Sequence, residues 1–305
     1  MAMSKLFVFL CLVTSFLKTS YSFPLNDKTN DGLSRRDILI NVPIGVTGAV
    51  VYGKLVSEAI GKLSRGDLAY PEDHERRAED IISKSLVAAS TSLDGKKRPL
   101  RVLEVGIGKE WRVARRGLYA SALKELSAKG VSQIQLTGVD ISVPSTNILQ
   151  DAQFRLQKLA SSNQIRIDAN LLESSITSKL NFPDGWFDCV FCALTLCSVG
   201  DQVAALNEMK RMVRPNGGTF GYIEHVAVEE DEPYAFLSLQ QQLFDPLQQA
   251  VADNCHLHRY TDENIAKVFE IDDENVSSRI FHERFLVDGM WPVSCQCCGV
   301  IQRLA

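Results

Sequence analysis

A short apolar run that breaks directly into a glycine pair does most to limit what this chain can become. Leu100-Arg101-Val102-Leu103-Glu104-Val105 follows Pro99 and has the length and apolar content of a buried strand. It passes without a linker into Gly106-Ile107-Gly108, and then into a helical stretch from Trp111 to Lys129. The same alternation repeats downstream. Strands are expected at Ile134–Val139, ending at Asp140, at Gln164–Ile167, ending at Asp168, at Phe187–Ala193 and at Thr219–Glu224. Helices are expected between them at Asn147–Leu159 and Gln202–Val213. An entry helix over Asp73–Leu93 places Ala78, Ile81, Ile82, Leu86 and Val87 at helical spacing. This order predicts one α/β domain, a mostly parallel sheet with helices on both faces.

Composition narrows the function classes. The 305 residues carry a formal charge of −4, and the 7 Lys+Arg and 4 Asp+Glu of residues 1–64 leave residues 65–305 at −7. A nucleic-acid binder normally shows a basic field, so no nucleic-acid partner is expected. Eight Cys are too few for a disulfide scaffold. The Cys295-Gln296-Cys297-Cys298 cluster lacks a paired C-x-x-C set, so it reads as a last sheet strand and no metal is assigned.

In an open parallel sheet the ligand sits past the C-terminal strand ends, near the point where strand order reverses. Polar residues fall at those ends: Glu104 and the Gly106/Gly108 loop, then Asp140, then Asp168. Glycines let a backbone approach a ligand closely, and a carboxylate after the second strand can accept from both hydroxyls of a ribose. The constellation predicts a nucleoside-bearing cofactor. A dinucleotide fingerprint wants a third glycine where Trp111 stands, whose bulk would crowd a diphosphate, and no G-x-x-x-x-G-K-[ST] loop is present. Glu104 suits a cofactor with a cationic amino group and sulfonium, which favours S-adenosylmethionine over NAD.

Several segments then resemble known sequences. Leu103-Glu104-Val105-Gly106-Ile107-Gly108, Phe182–Val190 and Met212–Gly218 resemble the first motif, the fourth-strand entry and the turn before the fifth strand of class I S-adenosylmethionine-dependent methyltransferases. Leu194–Val199, Glu224–Ala227 and Gln241–Pro246 with Asp253–Cys255 resemble the methyltransferase-like thiol S-methyltransferase family. The resemblance covers about residues 100–305, with Glu110 where that family usually has a third glycine. It implies a Rossmann-like fold with a seven-stranded sheet. Glu104, Gly106 and Gly108 would line the methionine part of the cofactor, Asp140 the ribose, Asp168 and Ala169 the adenine, and Leu194 to Cys197 the floor of the transfer position. A thiol acceptor must lose its proton, and His225 and Asp245 are the catalytic candidates for that step. The resemblance implies association with a membrane surface and a small thiol as acceptor, and the helical segment Pro233–Ala252, with its broad apolar face, would as a lid suit a lipophilic one. C- or O-methylation of a quinone-like or phenolic metabolite, and a non-catalytic cofactor-binding or assembly factor, stay open beside it.

The leader reads separately. Residues 1–22 have the charge at Lys5, the apolar run Leu6–Leu17 and the small-x-small Ser20-Tyr21-Ser22 of a signal peptide, too short for the roughly 20 residues that span a bilayer. Phe23 past the cleavage point resembles the bipartite leaders of algae with secondary plastids. Arg35-Arg36 before the uncharged run Ile38–Gly53 resembles a twin-arginine signal. The expectation is a plastid, with the thylakoid beyond it. A secretory or endoplasmic-reticulum protein held by residues 23–64 is the alternative. The remaining boundaries are an entry segment at 65–98 and the methyltransferase domain at 99–305.

Overall fold

Strand β1 (Leu100–Val105) sends alternate side chains into two cores, as a strand buried on both faces must. Leu100 and Val102 join one apolar cluster; Leu103 and Val105 join the other. The computed structural model describes residues 48, 50–63, 68–93, 98–271 and 276–305, and the span from Ile60 to Ala305 is one compact unit. The expected signal peptide and most of segment 23–64 lie outside the described residues. No helix among the described residues is long and apolar enough to cross a membrane.

The first core lies under α1 (Glu72–Ser90), α2 (Arg112–Arg116), α3 (Ala120–Ala128) and α4 (Thr146–Ser162). The second lies under α5 (Gln202–Met212) and α7 (Thr261–Phe269), with α6 (Ala235–Val251) between them in sequence. The expected single helix over 111–129 is two, because Gly117 turns left-handed at φ 73° and ends α2. Strands β2 (Gln133–Asp140), β3 (Arg166–Glu173), β4 (Cys189–Ala193), β5 (Gly218–His225), β6 (Ser277–Leu286) and β7 (Cys295–Arg303) complete a seven-stranded sheet in the order β3-β2-β1-β4-β5-β7-β6. The first five are parallel; β7 runs antiparallel between β5 and β6. This is the Rossmann-like architecture, and order reverses between β1 and β4, so the ligand crevice is expected beyond Val105 and Ala193.

One strand differs from expectation. β3 does not stop at Asp168 but continues to Glu173, which pairs with Asp140. Ile165, Ile167, Ala169 and Leu171 keep the period-2 alternation through Asp168 and Asn170, so the polar residues are the outward half of one longer strand. Asp168 pairs with Gln135, near the N-terminal end of the sheet.

Two contacts fix the frame. Asp188, fully buried at the entry to β4, accepts from both terminal nitrogens of Arg98 at 2.6 and 2.8 Å and from the Arg101 amide at 3.0 Å. It also stands 2.7 Å from Arg214, so one carboxylate ties the starts of β1 and β4 to the turn before β5. On the opposite side of the sheet, α1 lies so close to β5 that a Cβ at Gly221 would meet Ser85 Oγ at 2.1 Å. Thr219 Oγ1 donates to the Ser85 carbonyl at 2.9 Å beside it. Gly221→Ala is therefore expected to destabilise the fold by about 1–3 kcal/mol through overpacking. Gly200→Ala, where a Cβ meets nothing within 4 Å, should stay within about 0.5 kcal/mol of the parent. Denaturant unfolding of the two variants checks the contrast.

Candidate active site

The crevice is built by the loops leaving β1 and β4. Gly106 takes φ 77°, and its amide donates to the Val139 carbonyl at 2.8 Å, tying the β1 loop to β2. A Cβ there would lie 2.0 Å from Thr195 Oγ1, so only glycine lets the two loops touch. Gly108, at φ 66°, donates its amide to Asp140 Oδ2 at 2.9 Å, while the other oxygen of Asp140 accepts from the Ser142 amide at 3.0 Å. A Cβ at Gly108 would meet nothing within 4 Å, so this side of the loop is open to a ligand. The Gly106/Gly108 loop and Asp140 are thus brought together, as their order in the sequence anticipated.

Across the crevice, Leu194 is left-handed at φ 56°, strained for a side chain with a Cβ, and held there by its amide donating to the Ile223 carbonyl at 2.9 Å. The next amide, Thr195, donates to Glu224 Oε1 at 2.8 Å, and Thr195 Oγ1 donates back to the Val105 carbonyl at 3.1 Å. Glu224 is fully buried, and burial raises its pKa above the usual carboxylate value.

Glu104 stands otherwise than its sequence role suggested. Strand parity turns it into the first core, where Oε2 accepts from Trp111 Nε1 at 2.9 Å and from the Tyr119 hydroxyl at 2.6 Å. Trp111 is wholly buried beneath the loop, so its bulk fills the core and does not crowd the ligand face. Both partners favour the charged carboxylate, yet burial outweighs them and lifts its pKa to about 7.

Asp168 and Ala169 are corrected by the longer β3. Asp168 accepts from Gln133 Nε2 at 3.0 Å and from Arg166 at 3.1 Å on the outer surface, and Ala169 packs on the first core in mid-strand. At the C-terminal edge the equivalent place beside Asp140 belongs to Glu173 and Ser174, whose amide donates to the Asp140 carbonyl at 2.8 Å.

His225 closes β5 and is buried; its Nε2 lies 3.1 Å from Cys255 Sγ, and its Nδ1 has no hydrogen-bond partner. Cys197 belongs to the same cluster: the donor atoms of Cys197, His225 and Cys255 all lie within 4.8 Å of one another. The neighbouring Cys197 thiol and then His225 pull the Cys255 thiol below its usual value. Burial opposes charge on His225, but the Cys255 thiolate beside it carries its pKa upward. Asp245, on α6, uses Oδ1 to accept from the Leu257 and His258 amides and Oδ2 to accept from Gln249 at 2.6 Å. Its carboxylate therefore shapes the segment that carries Cys255, which makes it a positioning residue for that segment. Sequence reasoning did not join Cys255 to His225, because nothing in spacing announces a contact made when α6 turns back.

The Glu104 environment has a measurable sign. An unfolded glutamate loses its proton near 4.5 whereas the folded one keeps it to about 7, so in that window only the folded state holds the proton. Stability from this group is complete below pH 4.5 and declines as pH rises to about 7, by about 3 kcal/mol in all. Glu104→Gln should flatten that part of the pH–stability curve, read by denaturant unfolding at pH 5 to 8.

A protein-family profile described as "Methyltransferase domain" matches residues 115–220. Among curated proteins, the human thiol S-methyltransferase TMT1B is 42% identical over 79 residues, 26% of this chain and 30% of that protein. Human thiol S-methyltransferase TMT1A is 43% identical over 76 residues, 25% of this chain and 30% of that protein. The match thus spans less than a third of the length of these relatives. Demethylmenaquinone methyltransferase of Beutenbergia cavernae is 29% identical over 175 residues, 54% of this chain and 68% of that one. Of solved structures, the [4+2]-cyclase SpnF aligns at a TM-score of 0.49 and 15% identity, covering 83% of this chain and 95% of that one. With the strand order and the glycine loop locked to Asp140, the matched profile marks residues 115–220 as part of an S-adenosylmethionine-dependent methyltransferase domain on a Rossmann-like sheet.

Proposed function

We propose that this protein transfers a methyl group from S-adenosylmethionine to a small, lipophilic thiol. The observation that carries the cofactor half is the cradle at the switch point, with Gly108 open on its ligand side and its amide held by Asp140. The residues fit the group. Gly106 and Gly108 would admit the methionine portion, Asp140 the ribose hydroxyls, and Leu194 would floor the transfer position. Glu104, held by Trp111 and Tyr119, would support the loop from beneath and set a carboxylate behind the cofactor's cationic end. When bound, S-adenosylmethionine supplies a methyl group on a sulfonium that is already a good leaving group. The chain's work is then alignment and the exclusion of water, which together account for much of the rate in such displacements. The remaining need is a deprotonated acceptor, and the buried Cys197, His225 and Cys255 cluster beside the β4 and β5 ends is the chemistry available for it. Asp245 positions that cluster.

The thiol is favoured by the names of the two human relatives. A quinone acceptor is the second reading, favoured by the longer match to a demethylmenaquinone methyltransferase. On residues 1–64 we further propose delivery to a plastid, with the endoplasmic reticulum as the alternative and membrane-surface association in either.

Titration calorimetry with S-adenosylmethionine should show binding that Asp140→Ala weakens at least about tenfold, the loss of a charge-assisted contact. Asp168→Ala should leave it unchanged. Labelled methyl transfer to a panel of thiols, quinones and phenols then settles the acceptor; turnover of quinones without thiols would replace the first reading by the second. A fluorescent fusion to residues 1–64 is expected in the plastid, and a reticular pattern would overturn that placement.

A further inference from the structure

The cluster at the C-terminal ends of β4 and β5 is built from the wrong materials for a simple acid–base pair. Two thiols and an imidazole meet in the interior, from three segments far apart in sequence: the turn after β4, the last residue of β5 and the loop after α6. Each is buried, and their polar atoms are poorly satisfied for that burial. Besides His225 and the neighbouring Cys197 thiol, Cys255 Sγ has only the Gln248 amide at 3.6 Å. Cys197 Sγ has the Ser198 hydroxyl at 3.6 Å, and His225 Nδ1 has nothing. Buried polar groups left this way call for a partner.

We infer that Cys197, His225 and Cys255 hold one zinc ion, whose fourth position takes the acceptor thiol as a thiolate. Two thiolates and one imidazole are donors that suit zinc. Two thiolate charges cancel the ion's charge, so the site is neutral before the acceptor binds, and the one negative charge that the acceptor thiolate adds is opposite to that of the sulfonium it attacks. Tetrahedral zinc with bonds near 2.0–2.3 Å wants its donors about 3.5–3.8 Å apart. The present limit of 4.8 Å closes by about 1 Å of side-chain adjustment. Backbone bonds already hold the segments in place. The His256 amide donates to the Cys197 carbonyl at 3.0 Å, and Arg259 donates to the Leu196 and Val199 carbonyls at 2.9 and 2.6 Å.

Three protein ligands with one position left is the pattern of a catalytic zinc, not a structural one. Cys197 stands two residues beyond Thr195, which touches the Gly106 loop, so the cluster lies close in the chain to the proposed cofactor cradle, and the fourth position is given to the acceptor. The acceptor thiol binds as thiolate and its proton passes to water. Its sulfur attacks the methyl carbon, a new carbon–sulfur bond forms, and the old one breaks with its electron pair remaining on the departing sulfur. The products are a thioether and S-adenosylhomocysteine. This second half rests on the methyl-transfer reading; the metal site does not.

The test is metal content and metal titration on the full chain. Elemental analysis should find about one zinc per chain. After removal by chelator, cadmium should bind one to one with near-ultraviolet absorption from two thiolates. Cys197→Ser and Cys255→Ser should each weaken binding by about tenfold or more, since even indirect supports of a metal contribute 10–100-fold. Cys298→Ser, on β7, should leave it unchanged. Should the serine variants not fold, the titration of the parent chain decides alone. Protein that binds S-adenosylmethionine yet holds neither zinc nor cadmium overturns the inference, and the function above stands with His225 Nδ1 as proton acceptor. Cadmium bound equally by the two serine variants also overturns it. Zinc retained by protein that fails to bind S-adenosylmethionine upholds the metal site and overturns the methyl-transfer reading.

Discussion

The C-terminal edge of the sheet depends on one close approach, that of the β1 loop and the β4 turn across Gly106. Thr195 fills the space that a Cβ at Gly106 would occupy, and from that wedge the other constraints radiate. Through its hydroxyl, Thr195 reaches back to Val105; through its amide it engages Glu224 on β5. Forcing the chain through that contact leaves Leu194 left-handed. On the other side, Gly106 is tied to β2 and Gly108 to Asp140. Four parallel strands are thereby coupled at their ends by backbone and short side chains, which tolerate little displacement.

That economy also explains which parts of the site could be read from sequence. The strand, the glycine pair and Asp140 were legible because the relation among them is local or follows from strand order. Glu104 was located correctly but its direction was not, since the alternation that sends it toward Trp111 and Tyr119 is a property of the paired strand. Asp168 misled because a polar residue in an edge strand looks like a strand end; Ile165, Ile167, Ala169 and Leu171 held the contrary signal. The cysteines near His225 come from segments that meet only in three dimensions, so no spacing rule could have joined Cys197 to Cys255. Asp245, a candidate for taking the acceptor's proton, has its oxygens engaged by the Leu257 and His258 amides and by Gln249.

Two of the buried carboxylates, Asp188 and Glu104, do different things with burial. Asp188 is matched by Arg98 and a backbone amide, so its charge is held in place and binds three chain segments together. Glu104 meets only neutral donors, and its proton affinity rises accordingly. One is a fastening; the other is a group whose charge depends on its surroundings, set at the end of the strand that leads into the Gly106/Gly108 loop.

The position of β7 carries a consequence for how the protein is made. Because β7 comes after β6 in sequence but lies between β5 and β6 in space, β5 leaves the ribosome with one edge bare. That edge stays unpaired while everything from Val226 to Ser294 is synthesised. An apolar strand with an open edge invites pairing with another chain. Protection during translation must therefore come from elsewhere, and α1, already emerged and able to cover one face of β5 through Ser85 and Gly221, shields the face but not the edge. The nascent chain is most exposed to misassembly in the interval before Cys295.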